Sequence, residues 1–462
     1  MEQVFTGCRY CMALCGVEVT VDRAANRVLR VGPDKANPHT WADFCANART
    51  AAELVEHPRR ITTPMRRVGD RYVAATYEEA VSDIAARLRV IIDRHGPDAV
   101  GSYHGNPSAF SWGNSVLFAG FLDAIGTRNR YWVGSIDQNA AHVVARKLFG
   151  SDLVSLQLDI DDCDCFVLIG QNPAESAMNW YWSAPGGWRR VLARRDAGAD
   201  LIVVDPRATE TARAATLHVA IRPGQDWAFL LGVLKVVFAE GWDRPATAVP
   251  VTGADGLRAL AAAADLADLS ARCDVPVEVI ADVARRFATA RTALCATATG
   301  VGQTEAGTVA EWLGIVLNAV TDRLDRPGGR RYERGLVDMG RLFALLAPPG
   351  EHRTRLRGTP MVAGYHSLAE LADEITTPGP GRIRAMFINA GNPVVSGPQG
   401  AALDAAFAGL DLLVAVDLAQ RESHRHADWL IPGVHWLERA ESNPILVGFH
   451  DGPFAQYWPA AV

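Results

Sequence analysis

Val17, Val19 and Val21 alternate with Glu18, Thr20 and Asp22, and after Ala24-Ala25-Asn26 the apolar run Val28-Leu29-Arg30-Val31 returns. A period of two over so short a stretch predicts a β-hairpin. Further on the period lengthens. Between Thr76 and His95 the residues Ala80, Ile84, Leu88 and Ile91 share one helical face, Thr76 with Glu79 makes a capping box, and Gly96-Pro97 stops the helix. Strands are then predicted at Ala99 to Tyr103, Phe166 to Ile169, Leu201 to Val204, Arg384 to Ile388 and Leu412 to Val416. Helices are predicted between them at Asn114 to Ile125, Gln138 to Phe149, Gly187 to Ala197, Trp227 to Glu240, Val277 to Thr289 and Val309 to Leu324. Strands that alternate with helices imply parallel sheets with crossovers, an α/β fold. The alanine-rich stretch from Leu257 to Leu269 reads as a solvated helix, and no fixed-period repeat is present.

Apolar residues make up 49% and charged residues 21% of the 462 residues, which is globular composition. At about 150 residues per domain the length suggests roughly three domains. The loops at Thr62-Thr63-Pro64, Arg326-Pro327-Gly328-Gly329 and Thr377-Pro378-Gly379-Pro380-Gly381 are candidate boundaries. A formal charge of −6 without a long Lys/Arg run argues against a nucleic-acid partner. No apolar stretch reaches the ~20 residues of a membrane span. A cysteine motif stands where a leader would, so a cytoplasmic location is expected.

Cys8, Cys11 and Cys15 sit in one tight loop and Cys45 returns from a distance. With no export leader, a disulfide framework is not expected. Zinc sites usually arrive as two separated pairs. Three donors from one loop and a fourth from afar better suit the corners of a 4Fe-4S cubane, so the spacing favours the cluster over zinc, with inert thiols third. Cys163, Cys165, Cys273 and Cys295 read as core.

In open parallel sheets ligands bind beyond the carboxyl ends of the strands. There the chain carries Gly170-Gln171-Asn172-Pro173-Ala174-Glu175-Ser176, and one βαβ unit later Asp205-Pro206-Arg207-Ala208-Thr209. Asp205 stands where an acid can hold a ribose or guanine edge, and Arg207 where a guanidinium can meet phosphate. The structural alternatives are a turn at Gly170 to Pro173 and a helix capped by Asp205 with Pro206 as its first residue. Neither loop is the Gly-x-Gly-x-x-Gly fingerprint, which removes support from a plain nicotinamide dehydrogenase. Asn389-Ala390-Gly391-Asn392-Pro393 and Gly105-Asn106-Pro107 repeat the Asn-Pro theme, and Arg222-Pro223-Gly224-Gln225-Asp226 places another guanidinium before a helix. Repeated Asn-Pro turns after strands suggest a large anionic cofactor held by backbone amides.

The cysteine motif and these loops, with Gly302-Gln303, Asp325-Arg326-Pro327-Gly328-Gly329 and His426-Ala427-Asp428-Trp429-Leu430-Ile431-Pro432 followed by Glu438, resemble the bis-pterin molybdenum or tungsten oxidoreductases. That superfamily includes formate dehydrogenases, nitrate reductases and sulfoxide reductases. The resemblance spans almost the whole chain. It implies a small β-rich iron-sulfur domain over residues 1–65 and two Rossmann-like α/β domains, one from 66–130 with 331–440 and one from 131–330, before a tail at 441–462. It also implies a 4Fe-4S cluster on Cys8, Cys11, Cys15 and Cys45, and a bis-molybdopterin guanine dinucleotide carrying molybdenum or tungsten. The pterin dinucleotides would lie against Gly105, Asn106, Gly170, Asn172, Pro173, Ser176, Asp205, Arg207, Thr209, Arg222, Gly224, Asp226, Gly302, Gln303, Gly391, Asn392 and Pro393.

The family's protein ligand to the metal follows a glycine-rich turn; counting from Asn129 through Tyr131-Trp132-Val133-Gly134, it falls on Asp137, with Ser135 as the alternative. Read without the resemblance, Ser135 and Gln138 make a capping box and Asp137 favours the first turn of the helix they start. A carboxylate is a hard ligand suited to an oxidised, oxo-bearing metal, which favours oxygen-atom transfer and weakens a formate dehydrogenase reading.

Two departures stand out. Asn47 occupies the place of a family lysine between cluster and pterin, with Arg49 as the substitute charge. The chain also stops at Val462 without the family's C-terminal lid domain, so a truncated form is expected, or else a separate lid subunit. Expected partners are a small-molecule substrate and an electron-carrier protein or subunit. A cofactor-poor scaffold or electron-transfer subunit, and a non-redox tungsten hydratase, are the other readings. His104, His142, Trp132 and Trp180 either line an entrance or simply pack.

Overall fold

The structure is a computed structural model that describes residues 1–40, 44–176, 184–332, 335–339, 341–342 and 352–462. The chain divides into two compact units: Met1–Ile136 with Ala344–Leu446 and Ala455–Val462, and Asp137–Phe343 with Val447–Phe454.

The first unit begins with an antiparallel sheet, β1 (Glu2–Gly7), β2 (Gly16–Asp22) and β3 (Arg27–Pro33), in the order β1-β2-β3. β2 and β3 are the expected hairpin; Val17, Val19 and Val21 face inward and are fully buried. β1 lacks clean alternation and was not expected.

The larger sheet of this unit holds β4 (Met65–Val68), β5 (Arg71–Ala74), β6 (Val100–His104) and β7 (Asn129–Trp132). β14 (Ala385–Asn389), β15 (Leu412–Asp417) and β16 (Trp429–Pro432) complete it, in the order β5-β4-β16-β15-β14-β6-β7. β7, β6, β14, β15 and β16 run parallel, and β4 and β5 add an antiparallel edge. Taken in chain order, the parallel strands read 2-1-3-4-5, which puts the switch point between β6 and β14. The helix Tyr77–His95 has the predicted capping box, Thr76 with Glu79, and buries Ala80, Leu88 and Ile91.

In the second unit β9 (Cys165–Ile169), β10 (Asp200–Val204), β11 (Leu217–Val219) and β12 (Ala293–Thr297) form a wholly parallel sheet in the order β11-β10-β9-β12. That is 3-2-1-4, with the switch point between β9 and β12. β8 (Leu156–Leu158) pairs antiparallel with β13 (Arg330–Tyr332). Cys165, Cys273 and Cys295 lie in the core with the helices Asp226–Ala239, Val277–Thr289 and Gly307–Val320, and Cys163 lies in the core on the other face.

The fold class is the expected one: mixed α/β with mainly parallel sheets and a small N-terminal antiparallel sheet. Two local expectations change. The alanine-rich stretch is two helices, Ala254–Ala263 and Leu266–Cys273, separated at Asp265, whose carboxylate caps the second. Leu257, Ala261, Leu269 and Cys273 turn into the core, so one face of the pair is buried rather than solvated. The C-terminal tail is also well packed: Trp458 is fully buried, pairs with Glu441, and leaves no room for a side chain at Gly7.

Candidate functional site

Both switch points carry the same hydrogen-bonded clasp. After β9, Gly170 takes a left-handed φ of 62° and donates to the Val204 carbonyl at 3.0 Å. Two residues on, the Asn172 amide donates to Glu210 at 2.9 Å while its oxygen accepts from the Thr211 hydroxyl at 2.8 Å and the Thr211 N–H at 3.2 Å. The Ala174 N–H donates to that hydroxyl at 3.0 Å, and Ser176 N–H returns to the Asn172 carbonyl at 2.8 Å.

After β14 each bond recurs. Ala390 has φ 54° and donates to the Val416 carbonyl at 2.8 Å. Asn392 donates to Glu422 at 2.7 Å and accepts from the Ser423 hydroxyl at 2.7 Å and its N–H at 3.1 Å. Val394 N–H donates to the Ser423 hydroxyl at 2.9 Å, and Ser396 N–H to the Asn392 carbonyl at 3.0 Å. Pro173 and Pro393 follow the asparagines with no N–H to satisfy, so the backbone turns without leaving an orphan donor. Each asparagine side chain is thus committed to holding its loop, and the groups left for an anionic ligand are backbone amides.

Close backbone approach completes each switch point. Gly105 follows β6 at a point where a Cβ would stand 1.8 Å from the Ala390 carbonyl oxygen, so only glycine fits. At Gly170 a Cβ would lie 2.8 Å from the Val301 nitrogen. Asn106 does not repeat the clasp: it opens a one-turn helix, Asn106–Ala109, and is exposed.

Asp137 ends the one-turn helix Gly134–Asp137 and belongs to the second unit. Its Oδ1 is buried with no hydrogen-bond partner, and burial raises its pKa. It lines a cavity of about 310 Å³ together with Gln171, Ser176, Thr297, Glu311 and Arg330. A buried carboxylate oxygen without a donor is costly unless a cation or proton meets it, so Asp137 fits the part of a metal ligand. Ser135 does not: its hydroxyl donates to the Trp132 carbonyl at 2.9 Å and accepts from Leu368 N–H at 3.0 Å. The expected capping box of Ser135 with Gln138 is likewise absent; the helix starts at Asn139 and Gln138 makes no side-chain cap.

Glu311 and Arg330 were not expected here. The Glu311 carboxyl accepts from the Thr297 hydroxyl, and burial above all pushes it up to about 7. Arg330 donates to the Leu156 carbonyl at 2.8 Å. A signal existed for Glu311, the lone charged residue in the largely apolar helix Gly307–Val320.

The remaining positions are mixed. Asp205 is not a helix cap: it accepts from Arg207 N–H at 2.8 Å, and the helix starts later, at Glu210, capped by Thr209. Arg207, Arg222 and Gln303 are exposed. Asp226 is buried, and burial with the charge of Asp205 pushes it up to about 6. Gly224 has φ 77° and faces Thr304. A Cβ at Gly302 would stand 3.6 Å from the Asp137 carbonyl oxygen and 3.7 Å from Glu311 Oε1. His104 and Trp132 pack against Tyr365, and His142 lies buried at the cavity. Trp180 lies outside the described residues.

In the first unit Cys8 N–H donates to the Cys15 carbonyl at 2.8 Å and closes the cysteine loop, with Leu14 at φ 49°. Cys45 precedes the helix Ala46–Arg49 without capping it. Burial raises the Cys8 thiol pKa, and charge on Cys11 and Cys45 raises it further, so these thiols are within electrostatic reach of one another. Among the described residues no three His, Cys, Asp or Glu side chains gather about one point as a single metal ion requires. A cubane takes one thiolate per iron corner, which sets the donors farther apart. Arg49 is exposed, its guanidinium over the Phe44 ring at 5.6 Å.

The family described as "Molybdopterin oxidoreductase" matches residues 60–444, and its "Molybdopterin oxidoreductase Fe4S4 domain" matches residues 1–57. The chain belongs to the molybdopterin oxidoreductase family. Its cofactors are accordingly a 4Fe-4S cluster and a molybdenum or tungsten pterin, and the zinc alternative falls. A nitrate reductase of Klebsiella oxytoca is 29% identical over 95% of this chain and 51% of its own length. The F420-dependent formate dehydrogenase 1 subunit alpha of Methanococcus maripaludis is 25% identical over 95% of this chain and 65% of its own. In fold the chain is similar to the acetylene hydratase from Pelobacter acetylenicus, with a TM-score of 0.82, 20% identity, and coverage of 99% of this chain and 66% of that one. The chain spans about half to two thirds of the length of these proteins. No helix among the described residues is long and apolar enough to cross a membrane.

Proposed function

We propose that this chain is the catalytic part of a molybdenum- or tungsten-pterin oxidoreductase that transfers an oxygen atom or hydride to or from a small substrate. Electrons pass singly through the cluster on Cys8, Cys11, Cys15 and Cys45 to a carrier protein or subunit. The observation that carries this reading is the unpartnered, buried Asp137 oxygen in a cavity bounded by the strand-end loops of its unit. When bound, the metal centre supplies two-electron redox chemistry and Lewis acidity. Asp137 would hold the metal through that oxygen. The loops at Gly170 and Gly391 would offer backbone N–H groups to the dinucleotide phosphates. Glu311, near neutrality in its ionisation, can hold or release a proton beside the same cavity.

Anaerobic purification followed by metal analysis and turnover assay tests the reading. Wild type is expected to carry iron with molybdenum or tungsten, and Asp137→Ala to keep the iron while losing most of the second metal and at least 100-fold in turnover. Iron alone in wild type would favour the scaffold reading. Turnover that needs no electron acceptor would favour the hydratase.

A further inference from the structure

Arg9 follows Cys8 in an N-terminal loop, yet its side chain is 0% exposed. Burying a guanidinium costs several kcal/mol unless partners replace the water. Its partners here lie far along the chain. One nitrogen donates to Glu441 Oε2 at 3.0 Å, another to the Arg439 carbonyl at 2.9 Å, and the guanidinium lies 5.4 Å from the Trp458 ring centre. Arg439 also pairs with Glu441 Oε2, at 3.2 Å. The other Glu441 oxygen accepts from the N–H groups of Trp112 and Gly113, at the start of the helix Trp112–Ile125. Two guanidiniums, Arg9 buried and Arg439 partly exposed, share one carboxylate, which leaves an excess positive charge beside a cluster cysteine. Asn47 and Arg49, by contrast, are exposed to water that screens charge.

We propose that Arg9 is a positioning residue that raises the reduction potential of the 4Fe-4S cluster, with Glu441 as the counter-charge that limits the rise. This rests on the reading that Cys8, Cys11, Cys15 and Cys45 hold that cluster. Reduction adds one electron and makes or breaks no bond. A nearby cation in a medium of low dielectric favours the more negative, reduced form, and an anion opposes it.

The test is a redox titration of the anaerobically purified holoprotein with dithionite as electron donor, following the paramagnetic signal of the reduced cluster. At the wild-type midpoint, Arg9→Gln is expected to lower the ratio of reduced to oxidised cluster about tenfold, equivalent to about 59 mV for a one-electron couple. Arg9→Lys should restore most of it, and Glu441→Gln should move the ratio in the opposite direction. A purely structural role for the pair predicts shifts of the same sign, or none, with the cluster intact, and either result overturns the proposal. If Arg9→Gln does not accumulate, the direction of the Glu441→Gln shift decides alone. Wild-type protein without iron overturns the cluster reading as well, which separates the two failures.

Discussion

The Asn392 carboxamide oxygen accepts from the Ser423 hydroxyl at 2.7 Å, as the Asn172 oxygen accepts from Thr211 at 2.8 Å. The two sheets place these pairs at the same topological point, beyond the strand beside the switch and its next neighbour. Each asparagine ties two consecutive loops together through bonds worth about 1 kcal/mol apiece. Asn172→Ala or Asn392→Ala is expected to cost roughly 2–4 kcal/mol, read as a lower midpoint in urea unfolding, and to reduce pterin content in the purified protein. Equal effects from the two variants would show that the loops are equivalent in energy as well as in geometry.

Gly105 faces the Ala390 backbone so closely that a methyl group cannot be absorbed by rotating a side chain. Gly105→Ala should therefore destabilise by more than the ~1 kcal/mol of an ordinary glycine exchange, on the order of 3 kcal/mol or above. Gly113→Ala, where a Cβ meets nothing within 4 Å, is the control, and thermal unfolding of the two separates close packing from glycine content.

His435 is buried, and desolvation with the positive charge of Arg60 lowers its pKa to about 4. The unfolded chain therefore binds a proton that the native state refuses between about pH 6.5 and 4, and stability falls as pH is lowered through that window. His435 contributes a loss of about 3 kcal/mol by its lower end. His435→Gln should flatten the acid limb of a stability-against-pH curve measured by denaturant unfolding.

Glu311 works in the opposite sense. Its folded value of about 7 lies above the unfolded value of 4.5, so it favours the native state at low pH, and that contribution disappears as pH rises through about 7. In cofactor-free protein Glu311→Gln should leave stability at pH 5 nearly unchanged relative to its effect at pH 8, where it should stabilise by roughly 2–4 kcal/mol. Unfolding curves at the two pH values check the sign.

What was legible in the sequence is what local chemistry sets. The apolar runs of β6, β9, β10, β14 and β15 mark parallel strands because both of their faces are covered. The Thr76 and Glu79 box is complete within one turn, and the cysteine spacing alone favours a cluster over zinc. Asn172 and Asn392 could be named as candidate site residues because strand ends are where ligands bind, and Asp137 through the family resemblance alone, but which polar atoms stay free for a ligand could not be told. Only the tertiary structure separated them, leaving an oxygen of Asp137 without a donor while enclosing both asparagines in bonds to Glu210 with Thr211 and to Glu422 with Ser423. The burial of Arg9 on Glu441, of Glu311 beside Thr297 and of Trp458 on Gly7 was equally out of reach. Each depends on partners distant along the chain, and desolvation, the largest effect on the ionisation of Arg9 and Glu311, does not exist until the chain has closed around them.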